Sequence, residues 1–343
     1  MTRDELIRQA DSSFETGIAL FDRCDLVAAK EAFKIAYQIY RKSGNGGGKI
    51  FDTAFYLALC IVEAEKNHEE LHEAEDLILR FVRDKDTIYG IPRIALLGRI
   101  YTLFGKTKLM HLVCNESIAM ATTEEERGLA LAGAVYASNP GKDVFRFASE
   151  ALPLLRATGK HSEALAIVLE AMARAVNHLT LQERQLYANE LLTLLKELHP
   201  HPMVLSISEA YMLLSYLKTE EAEWQDALEY AILALNHTGS APEGAAIYMH
   251  ISKINEMMDE PDEALKARYK ALKMSVSFYG SDMLAYTKEL SDVATQLAER
   301  CEYRFAVSAQ LLSLRCLVDS DDPTYDQIRK SVIMLQEYER NLV

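Results

Sequence analysis

The clearest pattern in this chain is a set of three residues, nearly all small or apolar, spaced four and then three positions apart. Residues at these separations lie on one face of an α-helix, so each set marks a helix with a narrow buried face. Repetition of one such unit predicts a helical-repeat architecture, in which each unit packs mainly on its neighbours. The eight sets are Ala29, Phe33 and Ala36; Ala74, Ile78 and Phe81; Met110, Cys114 and Ser117; Val144, Ala148 and Ala151; Ala188, Leu192 and Leu195; Ala227, Ala231 and Ala234; Ala264, Arg268 and Ala271; and Ala306, Gln310 and Ser313.

The segments between these sets predict further helices and almost no strand. A first helix should span about Arg3 to Asp22 and a second about Leu26 to Lys42, followed by the glycine-rich segment 44–48. Glycine cannot continue a helix cheaply, so this segment is expected to be a linker. We expect sixteen or seventeen helices in antiparallel pairs. The last one carries Ile328, Val332, Leu335 and Tyr338 on one stripe.

Gly17 lies twelve residues before Ala29, where two helices would need to approach closely, and Trp224 and Tyr303 each precede an alanine by three residues. This arrangement resembles the tetratricopeptide repeat (TPR). The resemblance implies an all-α fold: a right-handed α-solenoid of about eight TPR-like helical hairpins over residues 1–318, plus a C-terminal capping helix over residues 324–341. The sets recur at intervals of 34 to 45 residues, longer and less even than the 34 of that family. HEAT-type repeats, with periods of about 40–47, are therefore the structural alternative.

Charge and composition narrow the classes of partner. The formal net charge of the 343 residues is −14, and the longest basic runs are pairs such as Arg41-Lys42, which argues against nucleic-acid binding. The N-terminal residues lack the apolar core of a secretory signal, and no apolar stretch reaches the roughly 18 residues of a membrane span. Five scattered cysteines without a Cys-x-x-Cys pair predict reduced, buried thiols. We therefore expect a cytoplasmic protein that contacts neither nucleic acid nor membrane.

One segment literally matches a zinc-protease motif, His68-Glu69-Glu70-Leu71-His72. In a metalloprotease, both histidines bind Zn²⁺ from one helical face and the glutamate polarises the metal-bound water. Here His68 is expected to begin a helix, and Glu75 and Ile78 stand where the metzincin continuation needs glycine and histidine. A solvated helix start is the favoured interpretation, and we expect no catalytic residue, no metal and no cofactor.

The function expected from this pattern is that of a non-enzymatic scaffold or adaptor that binds a peptide or protein in a concave groove lined by the first helix of each hairpin. The partner would be basic overall or carry a local acidic group. The repeat register places six side chains in the groove: Arg99, Arg174, Asn177, Tyr216, His250 and Lys253.

Of these, Arg174 and Asn177 are expected on one helical face, where the amide would bond a peptide group and the guanidinium an acidic group. In chaperone-binding members of the family, a C-terminal carboxylate is held by Lys and Asn at positions that Phe14 and Ile18 occupy here. The resemblance therefore does not predict a chaperone tail as ligand.

Three alternatives stay open. The first is a bacterial peptide-pheromone receptor of the Rap and PlcR type, without a DNA-binding domain. The second is a zinc metalloprotease using His68 and His72. The third is a rigid structural subunit of a larger assembly.

Overall fold

The computed structural model describes residues 2–23, 25–43, 48–64, 68–81, 87–139, 141–198, 206–238, 241–278, 283–317 and 324–341. These residues form seventeen α-helices and no strand, which confirms the predicted all-α class. The first ten are α1 (Arg3–Phe21), α2 (Leu26–Ser43), α3 (Lys49–Ala64), α4 (His68–Phe81), α5 (Thr87–Leu103), α6 (Thr107–Met120), α7 (Glu124–Ala137), α8 (Lys142–Thr158), α9 (Ser162–Ala173) and α10 (Leu181–Glu197). The others are α11 (Ile207–Glu220), α12 (Trp224–His237), α13 (Ala241–Met257), α14 (Pro261–Phe278), α15 (Met283–Glu299), α16 (Tyr303–Leu317) and α17 (Thr324–Asn341).

The chain divides into two compact units, Met1–Ser206 and Ile207–Val343. In the first unit each helix packs against the next along the chain, and α5 also contacts α3 and α7, while α7 contacts α9. In the second unit α11 packs on α12, α13 on α14, α15 on α16, and α16 on α17. Successive hairpins that pack on their neighbours are the arrangement of an α-solenoid. The more specific TPR label and the boundary between array and capping helix stay predictions.

The spaced triplets form the buried face of the second helix of each hairpin. All their described side chains are buried except Val144, which is half-buried, and Arg268, which pairs with Glu289 at 2.9 Å. The side chain of Phe81 and the segments 44–47 and 199–205 lie outside the described residues. In α17, Ile328, Val332 and Leu335 are buried as predicted, while the side chain of Tyr338 is outside the description.

The cysteines only partly follow the prediction. Cys60, Cys114 and Cys316 are free and buried, and burial raises the pKa of the Cys60 thiol to about 12, which keeps it protonated and unreactive. Cys301 is exposed, so the expectation of buried thiols is wrong at this position. It lies in the turn between α15 and α16 rather than on a packed helix face.

The turns inside the hairpins repeat more regularly than the sequence shows. Four of them contain one residue in the left-handed region, always five positions before the first member of the next triplet. Only one of the four residues is glycine: Gly105 (φ 69°), Ala222 (φ 59°), Asp259 (φ 62°) and Cys301 (φ 60°). The next backbone N–H then bonds back to a carbonyl five residues earlier, which closes a Schellman motif in each hairpin, as in Glu223 N to Lys218 O at 3.0 Å.

Glycine at such a position should stabilise the protein. A non-glycine residue in the left-handed region costs about 1–2 kcal/mol, and glycine loses about 0.5–1 kcal/mol more backbone entropy on folding. We therefore expect Ala222→Gly to raise the free energy of unfolding by up to about 1 kcal/mol, measured by urea denaturation. Gly105→Ala, the matched reverse change, should lower it by about 1 kcal/mol. A loss of stability in Ala222→Gly would contradict this account of the turn.

Candidate partner-binding site

Helices α5 and α7 of the first unit are held together at one point by unusually close packing. A Cβ atom on Gly98 of α5 would lie 2.9 Å from the Cβ of Ala137 in α7, and one on Gly133 of α7 would lie 2.8 Å from the Cβ of Ala95 in α5. Because each glycine faces an alanine, the two backbones run side by side with no large side chain between them. The side chains that flank this contact are therefore positioned by rigid helices.

Arg99 follows Gly98 directly and lies over the ring of Tyr136, with its guanidinium carbon 5.8 Å from the ring centroid. The Tyr136 hydroxyl donates a hydrogen bond to the carboxylate of Glu63, in the last turn of α3. Burial and the Glu63 charge raise the pKa of Tyr136 well above its usual range, and the Arg99 charge acts in the opposite direction. The phenol therefore stays protonated and acts as a donor. Three successive odd helices thus bring a carboxylate, a phenol and a guanidinium together, which we call the Arg99 cluster (Glu63, Arg99 and Tyr136).

The sequence pattern identified Arg99 but missed its two partners. Glu63 is exposed near the end of α3, and Tyr136 is half-buried near the end of α7. Glu63 directly follows Val62, which precedes Ala74 by twelve residues, just as Gly98 precedes Met110. Extending the register to α3 would therefore have placed Glu63 beside Arg99 in the groove. Tyr136 has no comparable register signal.

The prediction that Arg174 and Asn177 share a helical face is wrong. Helix α9 ends at Ala173, so Arg174 is its C-cap residue and Asn177 lies in the turn before α10. Both side chains are exposed, and Arg174 Nε donates to Glu170 Oε1 at 2.7 Å. His178 stacks on Phe145 with ring centroids 4.4 Å apart, which fixes the turn. Their predicted role in partner binding is untested, but this guanidinium already has a carboxylate partner.

In the second unit, the structure separates the predicted residues into one buried and two exposed side chains. Tyr216 of α11 is 44% exposed and Lys253 of α13 is exposed, but His250 is only 7% exposed and does not face solvent as expected. The Tyr216 ring covers His250 at a centroid distance of 4.2 Å. Burial first, and the charge of Lys253 second, lower the pKa of His250 to about 4.

A hydrogen-bond chain fixes the orientation of the buried imidazole. The Ser215 hydroxyl donates to the carbonyl oxygen of Ala227 at 2.6 Å, so its single proton is used there. His250 Nε2 lies 2.9 Å from the same hydroxyl oxygen and must therefore be the donor of that contact. His250 therefore packs beneath Tyr216, and its predicted role in partner binding stays untested.

The His-Glu-x-x-His segment is engaged in packing. His68 begins α4 as predicted, and the rings of His68 and His72 lie 5.0 Å and 4.6 Å from the ring of Phe104, centroid to centroid. His72 Nδ1 also lies 3.3 Å from Glu75. Among the described residues, no group of three or more His, Cys, Asp or Glu side chains is arranged to hold a metal ion.

None of the described helices combines the length and apolar character that crossing a membrane requires. No family model matches the chain, and no curated protein matches it. Among solved structures, a Rap protein complexed with competence and sporulation factor is similar over 96% of this chain and 98% of its own, at 12% identity and a TM-score of 0.47. BtubC (BKLC) from P. vanneervenii is similar over 82% of this chain and 93% of its own, at 15% identity and a TM-score of 0.38. Neither comparison assigns the chain to a family.

Proposed function

We propose that this chain is a non-enzymatic protein-interaction scaffold that binds a peptide, or an extended segment of a protein partner, on the odd helices of its first unit. The observation that carries the proposal is the Arg99 cluster. Its three polar side chains come from three successive odd helices and meet at one partly exposed surface. A linear ligand would contact several repeats at once, which is how a solenoid surface gains affinity.

Helix α3, which carries Glu63, also carries a tyrosine within an aromatic cluster. Tyr56 of α3 stacks on Phe33 at 5.4 Å and meets Phe21 edge to face at 5.3 Å. Burial, then the charges of Glu163, Asp52 and Asp22, raise the pKa of Tyr56, so its hydroxyl stays protonated. Tyrosine presents a rigid apolar ring with one polar tip, the residue type that protein interfaces favour.

Site-specific photo-crosslinking tests this proposal. A photoreactive amino acid replaces Glu63, the exposed member of the Arg99 cluster, so that Arg99 and Tyr136 stay intact. In a matched control it replaces Leu112 of α6, which is 61% exposed on an even helix. We expect cross-linked partner from the first position and little from the second, with the partner identified by mass spectrometry. Equal labelling from both positions, or labelling from Leu112 alone, would contradict binding on the odd helices.

The mass of the cross-linked species also separates the alternatives. A short peptide would favour a receptor of the pheromone-binding kind, and a folded protein would favour an adaptor. Stoichiometric zinc in a sample stripped with EDTA and then reconstituted would instead support the metalloprotease hypothesis at His68 and His72.

A further inference from the structure

Arg99 lacks a carboxylate partner, unlike four other arginines of the first unit, which are Arg127, Arg146, Arg156 and Arg174. Arg127 pairs with Glu150 at 3.4 Å and Arg174 with Glu170 at 2.7 Å. Within the described part of the chain, no carboxylate lies within ion-pair distance of Arg99, whose recorded contact is the face of Tyr136. Its guanidinium is half-buried and has no ion-pair partner in a protein of net charge −14.

The second donor of the Arg99 cluster, the Tyr136 hydroxyl, is hydrogen-bonded to a carboxylate that a ligand can displace. The Tyr136 hydroxyl bonds the carboxylate of Glu63, and Glu63 is exposed at the end of α3. Moving this carboxylate into water costs little, because water can hydrogen-bond it as well as the phenol does. The hydroxyl would then be available, beside the guanidinium, to a carboxylate that comes from outside.

We propose that the Arg99 cluster binds a carboxylate of the partner, which displaces Glu63 and is held by the Arg99 guanidinium and the Tyr136 hydroxyl. This inference rests on the proposed function and specifies its ligand chemistry. A guanidinium presents two parallel N–H donors to a carboxylate, and charge-assisted bonds of this kind are about twice as strong as neutral ones. The small residues between α5 and α7 keep both donors in place before binding.

The effect of removing Glu63 on ligand affinity distinguishes a binding role of the Arg99 cluster from a purely structural one. If Glu63 competes with the ligand, its removal should strengthen binding, whereas removal of either donor should weaken it. If the cluster only holds α3, α5 and α7 together, all three changes should weaken binding in parallel with stability. The variants are Glu63→Ala, Arg99→Gln and Tyr136→Phe.

The experiment uses the full-length chain and a random octapeptide library, prepared with free and with amidated C-termini. Peptides retained by the immobilised wild type are sequenced, and the dissociation constants of the best binders are measured for each variant. We expect enrichment of Asp and Glu, or of free C-termini, and about 10- to 100-fold weaker binding by Arg99→Gln. Loss of binding on amidation identifies a C-terminal carboxylate, and loss on Asp→Asn or Glu→Gln in the peptide identifies a side chain.

The matched control is Arg156→Gln on the even helix α8, which removes an exposed arginine that already pairs with Glu190 and should leave the affinity unchanged. Arg99→Lys keeps the positive charge but loses the two parallel N–H donors, and its affinity should lie between those of Arg99→Gln and the wild type. Retained peptides with no acidic preference, or weaker binding by Glu63→Ala, would overturn this inference and leave the proposed function standing. Retention of no peptide, together with no cross-linking at position 63, would overturn both.

Discussion

Replacing Phe33 by alanine should lower the free energy of unfolding by about 3–5 kcal/mol, the range for truncation of a fully buried phenylalanine. Phe33 is 0% exposed and lies between three aromatic rings on two other helices. Its ring centroid lies 5.7 Å from Phe14, 6.4 Å from Phe21 and 5.4 Å from Tyr56. Truncation would leave a cavity where α1, α2 and α3 meet, and the surrounding rings are too rigid to fill it.

The packing of Gly17 against Phe33 shows that the cavity left by truncation depends on a close contact between α1 and α2. A Cβ atom on Gly17 would lie 2.6 Å from the Phe33 ring, so α1 approaches the ring as closely as its backbone permits. Urea denaturation followed by circular dichroism measures the loss. Ile35→Ala on the same helix is the control, because Ile35 is 48% exposed and its truncation should change stability by less than about 0.5 kcal/mol. Equal losses in the two variants would show that the assigned buried face of α2 is wrong.

The positions of the helices could be predicted from the sequence, and the buried triplets show why. Helical periodicity and a recurring buried face are local properties, so the spacing of Ala227, Ala231 and Ala234 is enough to locate a hairpin. A serine and an alanine twelve positions apart also make the same hydrogen bond in two successive hairpins. The Ser215 hydroxyl bonds the Ala227 carbonyl, and 37 residues later the Ser252 hydroxyl bonds the Ala264 carbonyl at 2.9 Å.

The turns were harder to predict because their left-handed residues are seldom glycine. Ala222 and Cys301 carry no sequence signal for a positive φ, and only the structure shows that they match Gly105. In these hairpins the helix ends and the Schellman bonds impose the backbone conformation, and the side chain tolerates it at a modest cost.

The candidate site was predicted only where the helix register was correct. Arg99 could be placed because Gly98 fixes the register of α5. The Arg174 and Asn177 prediction failed because α9 is a short helix, with twelve residues, that ends before either of them. His250 was assigned to the exposed face since helical projection cannot anticipate that Tyr216, from the preceding odd helix, lies over it. Burial by a neighbouring helix depends on tertiary packing, which the periodicity of one helix does not predict.

Buried His250 should make the protein lose stability as the pH falls from about 6.5 to about 4. Its pKa is about 4 in the folded chain, against an ordinary value of 6.5 for an unfolded histidine. Between these values the unfolded chain binds a proton that the folded chain does not, so acid favours unfolding through this group. The difference of about 2.5 pKa units corresponds to roughly 3 kcal/mol at pH 4, a loss that is complete once both states are protonated.

The contribution of His250 to the pH dependence of stability is isolated by comparing the wild type with His250→Gln. This variant keeps an N–H donor for Ser215 but does not titrate. We expect the difference in the free energy of unfolding between the two proteins to shift by roughly 3 kcal/mol from pH 7.5 to pH 4. Lys253→Met should raise the pKa of His250 in an NMR titration, but by less than full exposure would, because burial is the larger cause and the Lys253 charge the smaller. A wild-type His250 resonance that titrates near pH 6.5, or parallel stability profiles for the wild type and His250→Gln, would show that the imidazole is solvated and that Tyr216 does not cover it.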